Sequence, residues 1–238
     1  FWTAYKPPLE GAHAWMLIER RPHPNFEFML KNMAWAGPTM PVYVFCSDAN
    51  IGFIRAILGD KADHYHLLPV FNGAGTREQG KRELNQFLTS AASYRMFGAE
   101  VKYVMTTQMD VFIRRKIPSA LFVADFFGNP WGWNLTLPGG GGVTLRRVEK
   151  MIEICDRYGP PVDDNEDTWM GERIMVSGST YLPWYQAAQI CMESIHVDHP
   201  FTVHQFWTFL DQYIPKMDKE TVIQYWTRLM TLEQDTVA

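Results

Sequence analysis

Two groups of side chains in this sequence have the types and spacing to do chemistry. In YVMTTQMDVFIRR, residues 103–115, an apolar run enters a short polar turn and another leaves it. Asp110 therefore stands at the lip of a buried strand, where its carboxylate can cap the turn or hold a metal ion. Further on, Asp163, Asp164, Glu166 and Asp167 place four carboxylates within five residues. They repel one another unless they are solvated, cap a helix, or are balanced by a metal or an arginine. One reading is a helix N-terminus, with Asp164 or Asn165 as cap and the other acids favouring the dipole. The other makes one of them a general base, which must reach the proton that it removes.

Between these groups lies the run Gly139–Gly142. Consecutive glycines let the backbone approach a ligand closely and offer N–H donors, and they also suit a hairpin turn. No Gly-Lys-Ser/Thr follows, so the run is not a phosphate-binding P-loop, and its spacing is not that of a dinucleotide fingerprint. His199 and His204 flank Pro200–Val203, and histidine is a common metal ligand. No His-Glu-x-x-His, cysteine-based zinc spacing or Gly-x-Ser-x-Gly elbow is present, which argues against a metalloprotease or a serine hydrolase.

The elements that must position these residues follow from periodicity. Ala14–Ile18 is an apolar run closed by Glu19-Arg20-Arg21-Pro22, and reads as a buried strand. Residues 24–36 carry apolar side chains at helical spacing, with Pro24 in the first turn. Pro41–Cys46 is a second strand, Ile51–Leu58 a helix, and Leu67–Phe71 a third strand. Residues 72–82 are glycine-rich and charged, which predicts a loop. A helix is expected over 83–97, a strand over Tyr103–Met105, and a helix over about 146–157. Alternating strands and helices predict an open α/β sheet with a largely parallel core. In such a sheet ligands bind beyond the carboxyl ends of the strands. Glu19, Arg20, Asp48, Asn50 and Asp110 all directly follow expected strands, so the topology gathers them along one edge.

The chain has 238 residues, enough for a sizeable core, and neither an internal repeat nor a linker is evident. A single domain is expected over 1–238. Its net charge of −4 argues against nucleic acid as a partner. No apolar run reaches the roughly 18 residues of a membrane span. Aromatic residues make up 14% of the chain and include nine tryptophans, a content that suits sugar or base faces as well as core packing. The three cysteines, Cys46, Cys155 and Cys191, cannot all pair. This favours a reducing, cytoplasmic compartment. The chain starts at Phe1, so a trimmed anchor would make a Golgi lumen possible instead.

Four ordered blocks, IERRPHPNFEFMLKN, YVMTTQMDVFIRR, DFFGNPW with GGGGVTLRR, and NEDTWMGERI, together resemble an uncharacterised glycosyltransferase-like domain family. The resemblance spans roughly residues 14–207. In that family an I-E-x-R-x-H opening precedes a Q-T-D strand end, and G-N-G-G-L-S-L-R and E-D blocks follow. The family is similar to nucleotide-sugar glycosyltransferases of the GT-A fold. The resemblance implies a single Rossmann-like α/β domain with a mostly parallel sheet and an irregular C-terminal half. Residues 14–118 would form the nucleotide-binding half, 119–210 the acceptor and catalytic half, and 211–238 a C-terminal helical segment.

The implied activity is transfer of a sugar from a UDP or GDP sugar to a glycan or protein hydroxyl, with inversion. Gln108-Met109-Asp110 corresponds to the D-x-D motif that binds a divalent cation and the donor diphosphate. A glutamine replaces the first aspartate, leaving Asp110 as the main ligand for Mn²⁺ or Mg²⁺. By the same resemblance His204 completes the metal shell, and Gly141, Gly142 and Arg146 belong to a loop lining the sugar site. Asp167, with Glu166, takes the place of the acid that deprotonates the acceptor. Glu19, Arg20, Asp48 and Asn50 would hold the nucleoside, and Trp131 and Trp133 would stack on an acceptor sugar. A non-catalytic nucleotide-sugar or carbohydrate-binding module on the same fold is the alternative. A metal-dependent phosphoesterase or nucleotidyltransferase is a third reading.

Overall fold

A computed structural model describes residues 4–73, 76–161, 165–197 and 199–205. Asp163, Asp164 and the segment 211–238 lie outside the described residues. In chain order the elements are β1 (His13–Ile18), α1 (Phe26–Ala36), β2 (Val42–Ser47), α2 (Ile51–Leu58), β3 (His66–Phe71), α3 (Arg77–Leu88), α4 (Ala91–Tyr94) and β4 (Tyr103–Thr107). There follow β5 (Val111–Ile113), β6 (Phe126–Asn129), β7 (Gly140–Arg147), α5 (Val148–Tyr158), α6 (Glu166–Val176), α7 (Trp184–Ile190), β8 (Cys191–Met192) and β9 (Thr202–His204).

The main sheet has the order β3-β2-β1-β4-β7-β6. Its first four strands are parallel, and β7 runs antiparallel to both of its neighbours. Strand alternation sends Trp15 and Leu17 of β1 to one face, where they pack with Met29, Leu30 and Met33 of α1. Ala14 and Met16 turn to the other face and meet Met151 and Ile154 of α5 and Trp169 of α6. Burial on both faces explains why β1 and β2 read as continuous apolar runs rather than alternating ones.

A small second sheet, β5-β9-β8, hangs from the end of β4. Asn32 of α1 fastens it: its amide donates to Ile113 O at 2.8 Å and accepts from Ile113 N at 2.7 Å. That pair of bonds fixes the strand that begins one residue after Asp110.

Residues 77–82, expected as loop, are the first half of α3. Thr76 and Gln79 form a capping box in which Gln79 N donates to Thr76 Oγ1 at 3.2 Å and Thr76 N to Gln79 Oε1 at 2.7 Å. The helix expected over 83–97 breaks at Thr89, and Ser90 caps the short α4 by accepting from Ala92 N. Gly140–Gly142 belong to a strand of the main sheet rather than to a loop or hairpin turn. Among the described residues no helix is long and apolar enough to cross a membrane. Cys46, Cys155 and Cys191 are free and buried, and burial pushes the first two thiols up to about 11 and about 12.

Candidate functional site

A cleft of about 610 Å³ opens at the carboxyl ends of β1 and β4, with α3 as its far wall. Of the residues marked by sequence, Glu19, Arg20, Gln108, Asp110, Gly141, Arg146 and Glu166 line it. Asp48 is exposed and accepts from Gly73 N at 3.2 Å. Asn50 is wholly buried and acts as a bracket for the chain. Its Nδ2 donates to Glu19 O at 2.7 Å and Arg21 O at 3.0 Å, while Oδ1 accepts from Ser47 N at 2.8 Å. Asn50 thus shapes the loop after β1 and presents no free polar atom to a ligand. In that loop Arg21 grips the buried Glu19 carboxylate with Nε and Nη2 at 2.9 and 3.0 Å.

Pairing of β5 with β9 sets Val111 opposite His204, and Gln205 N donates to Asp110 O at 3.2 Å. This register delivers the His204 ring to Asp110, with Nε2 at 3.3 Å from Asp110 Oδ1 and Nδ1 at 3.3 Å from Glu193 Oε2. Gln205 holds φ at +44°, a left-handed conformation that a non-glycine residue seldom adopts, directly beside the site. Burial alone would lower the pKa of His204, but the Asp110 and Glu193 carboxylates, each 3.3 Å from a ring nitrogen, raise it to about 9. Burial pushes the Asp110 carboxyl up, and the His204 ring outweighs that and holds it below the ordinary carboxylate value. With a carboxylate on each side the imidazole carries both protons. The Gly142 N–H, 3.2 Å from Nδ1, is then a packing contact, and it becomes a hydrogen bond only when Nδ1 is bare.

The donor set suits a hard divalent cation. His204 Nε2 is buried and has no hydrogen-bond partner among the described residues. Its 3.3 Å separation from Asp110 Oδ1 is close to that of two neighbouring ligands on one ion. Glu193 against Nδ1 is the outer carboxylate that fixes the ligating tautomer of a metal-bound histidine. Oxygen donors with one imidazole suit Mn²⁺ or Mg²⁺ rather than zinc. Among the described residues no three His, Cys, Asp or Glu side chains converge to hold an ion. Asp110 and His204 would therefore be two protein ligands of a shell completed from elsewhere.

The second acidic group stands where β7 meets the start of α6. Arg146, 1% exposed, donates from Nη1 to Tyr94 Oη at 2.7 Å, from Nε to Thr144 Oγ1 at 2.8 Å and from Nη2 to Glu166 Oε2 at 3.3 Å. Burial, then the Asp167 carboxylate beside it, pushes Glu166 well above the usual carboxylate range, with Arg146 pulling the other way. The Arg146 guanidinium is held charged, because Tyr94 and Glu166 outweigh its burial. Asp167 lies outside the residues that line the cleft and packs on Gly140, whose hypothetical Cβ would sit 2.5 Å from Asp167 Cβ. Its Oδ1 is buried without a hydrogen-bond partner among the described residues.

Trp131 is buried and stacks on Trp133, which is 69% exposed, with centroids 5.0 Å apart and planes 14° from parallel. Trp133 therefore has one ring face for an apolar ligand surface, whereas Trp131 backs it. His199 is not among the cleft-lining residues. Three participants escaped the sequence reading. Glu193 has no local signal at all. Arg77 and Lys81 line the cleft from α3, and the Thr76-x-x-Gln79 capping box that starts their helix was legible.

A comparison with curated proteins returned no match. Among solved structures, the chain is similar to the apo form of mouse xyloside xylosyltransferase 1, with 10% identity over 81% of this chain and 97% of that one, at a TM-score of 0.49. It is also similar to the apo form of glycosyltransferase GlyE from Streptococcus pneumoniae TIGR4, with 12% identity, again at a TM-score of 0.49. That match covers 91% of this chain and 63% of GlyE. Residues 76–204, more than half of the chain, match the family described as "Protein of unknown function (DUF5672)", and the chain belongs to that family.

Proposed function

We propose that this protein transfers a sugar from a nucleotide-diphosphate donor to a carbohydrate or protein hydroxyl. The observation that carries the reading is the Asp110–His204–Glu193 group at the carboxyl edge of a parallel sheet, of which Asp110 lines a cleft that Arg77 and Lys81 also line. The fold and donor set suit a UDP or GDP sugar, with Mn²⁺ or Mg²⁺ held by Asp110 and His204. When bound, such a cation would neutralise charge on the leaving diphosphate. Gln108 would add a hydrogen bond to the donor, and the loop Glu19–Arg21 would shape the nucleoside end. Trp133 would offer its free face to an acceptor sugar.

In the transfer itself the acceptor oxygen forms a bond to the anomeric carbon as the bond from that carbon to the diphosphate oxygen breaks. The electron pair leaves with the diphosphate, and the acceptor proton passes to a carboxylate, for which Asp167 is the candidate. Attack from the face opposite the leaving group gives inversion. Asp167 Oδ1 has no hydrogen-bond partner among the described residues, which leaves it uncommitted to the protein. The same residue favours the second reading, a nucleotide-sugar or carbohydrate-binding module, because Asp167 packs on Gly140 of β7 and not on the cleft wall.

A thermal-shift series of UDP and GDP sugars, with and without Mn²⁺, tests the proposal. One donor is expected to raise Tm, and Mn²⁺ to enlarge the rise. Asp110→Ala should abolish the Mn²⁺-dependent part, and donor affinity unchanged by that substitution would remove Asp110 from the site. Incubation of the identified donor with wild-type protein then separates the two readings, since a binding module leaves the donor intact.

A further inference from the structure

Arg20 and Arg21, in the loop after β1, line the cleft but are engaged with the protein. Arg21 is engaged with Glu19. Arg20 reaches over α3, where Gly80 leaves room for it, and donates to Asn72 O at 2.8 Å, with Glu83 at 3.6 Å from its Nε. Arg77 and Lys81 differ from both. They stand four residues apart on α3, and therefore on one helix face. Both are exposed and line the cleft, and neither meets a carboxylate among the described residues. Leu84 and Leu88 continue the same stripe, so this wall of the cleft runs from cationic at the start of α3 to apolar at its end.

Two unpaired cations at adjacent helical positions, in a chain of net charge −4, form a local site for a compact multivalent anion. An arginine fork and a flexible ammonium together suit phosphate oxygens. We infer that Arg77 and Lys81 form a phosphate-binding wall that takes the diphosphate of the substrate by side-chain charge, independently of any ion at Asp110. This deepens the proposed function and rests on it for the identity of the full substrate, though the wall itself is tested without it.

Titration calorimetry with inorganic pyrophosphate, in buffer containing EDTA, isolates the wall from any cation-mediated route. Wild-type protein is expected to bind, and to bind less tightly as ionic strength rises. The double variant Arg77→Ala/Lys81→Ala should lose about tenfold or more in affinity, which corresponds to about 1.4 kcal/mol. Arg82→Ala/Lys102→Ala, which removes an equal charge at two exposed positions that do not line the cleft, should bind as wild type. Glucose 1-phosphate, with a single phosphate, should bind more weakly than pyrophosphate.

No pyrophosphate binding by wild-type protein, or equal binding by the double variant, overturns the inference. An equal loss from Arg82→Ala/Lys102→Ala also overturns it, by reducing the effect to net charge, and glucose 1-phosphate binding as tight as pyrophosphate overturns the assignment to a diphosphate. If the pyrophosphate arm succeeds while no nucleoside-diphosphate sugar binds, the wall stands and the donor reading falls. If nucleotide sugars bind the double variant undiminished, the donor reading stands and the wall falls.

Discussion

Asp167→Asn is expected to lower sugar transfer by about 10²–10⁴-fold while leaving donor affinity unchanged, the range that a positioned general base contributes. The substitution keeps the shape that packs on Gly140 and removes only the capacity to accept a proton. Steady-state transfer rates beside donor titration make the measurement. Near wild-type turnover would dismiss Asp167 as the base and shift attention to the binding-module reading. An equal loss of donor affinity would instead show that the residue supports the cleft wall. The proximity of Glu166 sharpens this test. Burial, the largest cause of the raised Glu166 pKa, persists when Asp167 is replaced and still opposes ionisation of Glu166.

Arg146→Met should cost about 3–5 kcal/mol of folding stability, the range for removing one partner of a buried ion pair. The guanidinium joins Tyr94 Oη, Thr144 Oγ1 and Glu166, and its loss leaves Glu166 buried without its ion-pair partner, while Tyr94 Oη keeps its bond to Leu88 O and Thr144 Oγ1 its bond to Thr106 Oγ1. Urea unfolding reads the loss as a lower midpoint, with little change of slope if the native state stays compact. Glu166 can take up a proton more easily than an exposed acid, which places the expected cost toward the lower end. Adding Glu166→Gln to Arg146→Met should therefore cost less than the sum of the single changes, because the two side chains share one interaction. A fully additive double variant would show that the Arg146–Glu166 contact contributes nothing of its own. Arg146 lines the cleft, yet its described bonds go to the protein, so its part in the site is to hold Glu166 and the β7 floor in place.

Much of the frame was legible because burial on both faces leaves a plain mark. The apolar runs Ala14–Ile18 and Pro41–Cys46 agree closely with β1 and β2, and the residues after β1 and β4 do reach the cleft. The start of α3 was obscured by glycines and charges, although the capping pair Thr76 and Gln79 was present in the sequence. The glycine run was ambiguous for a physical reason: glycines mark a turn, a ligand approach or a close strand crossing, and only packing selects the last. Asn50 follows a strand and is polar, as a ligand-binding residue would be, but its bonds to Glu19 O and Arg21 O depend on a contact about thirty residues away in sequence. Glu193 was invisible because only the β8–β9 pairing brings its segment beside His204.

The glycines at the start of β7 have a further consequence for how the two acidic groups behave. A Cβ on Gly140 would strike Asp167, on Gly141 would strike Glu193, and on Gly142 would strike His204. A bare ribbon of backbone thus runs between the Glu166–Asp167 pair and the Asp110–Glu193–His204 group. The nearest charges to Glu166 are those of Asp167 and Arg146, and the nearest to His204 are those of Asp110 and Glu193, so each group is governed chiefly by its own neighbours. Substitutions on opposite sides, such as Asp110→Ala with Glu166→Gln, should add in their effects on stability to within about 0.5 kcal/mol. Additivity would mean that the Glu166–Asp167 pair can change without disturbing the Asp110–Glu193–His204 group.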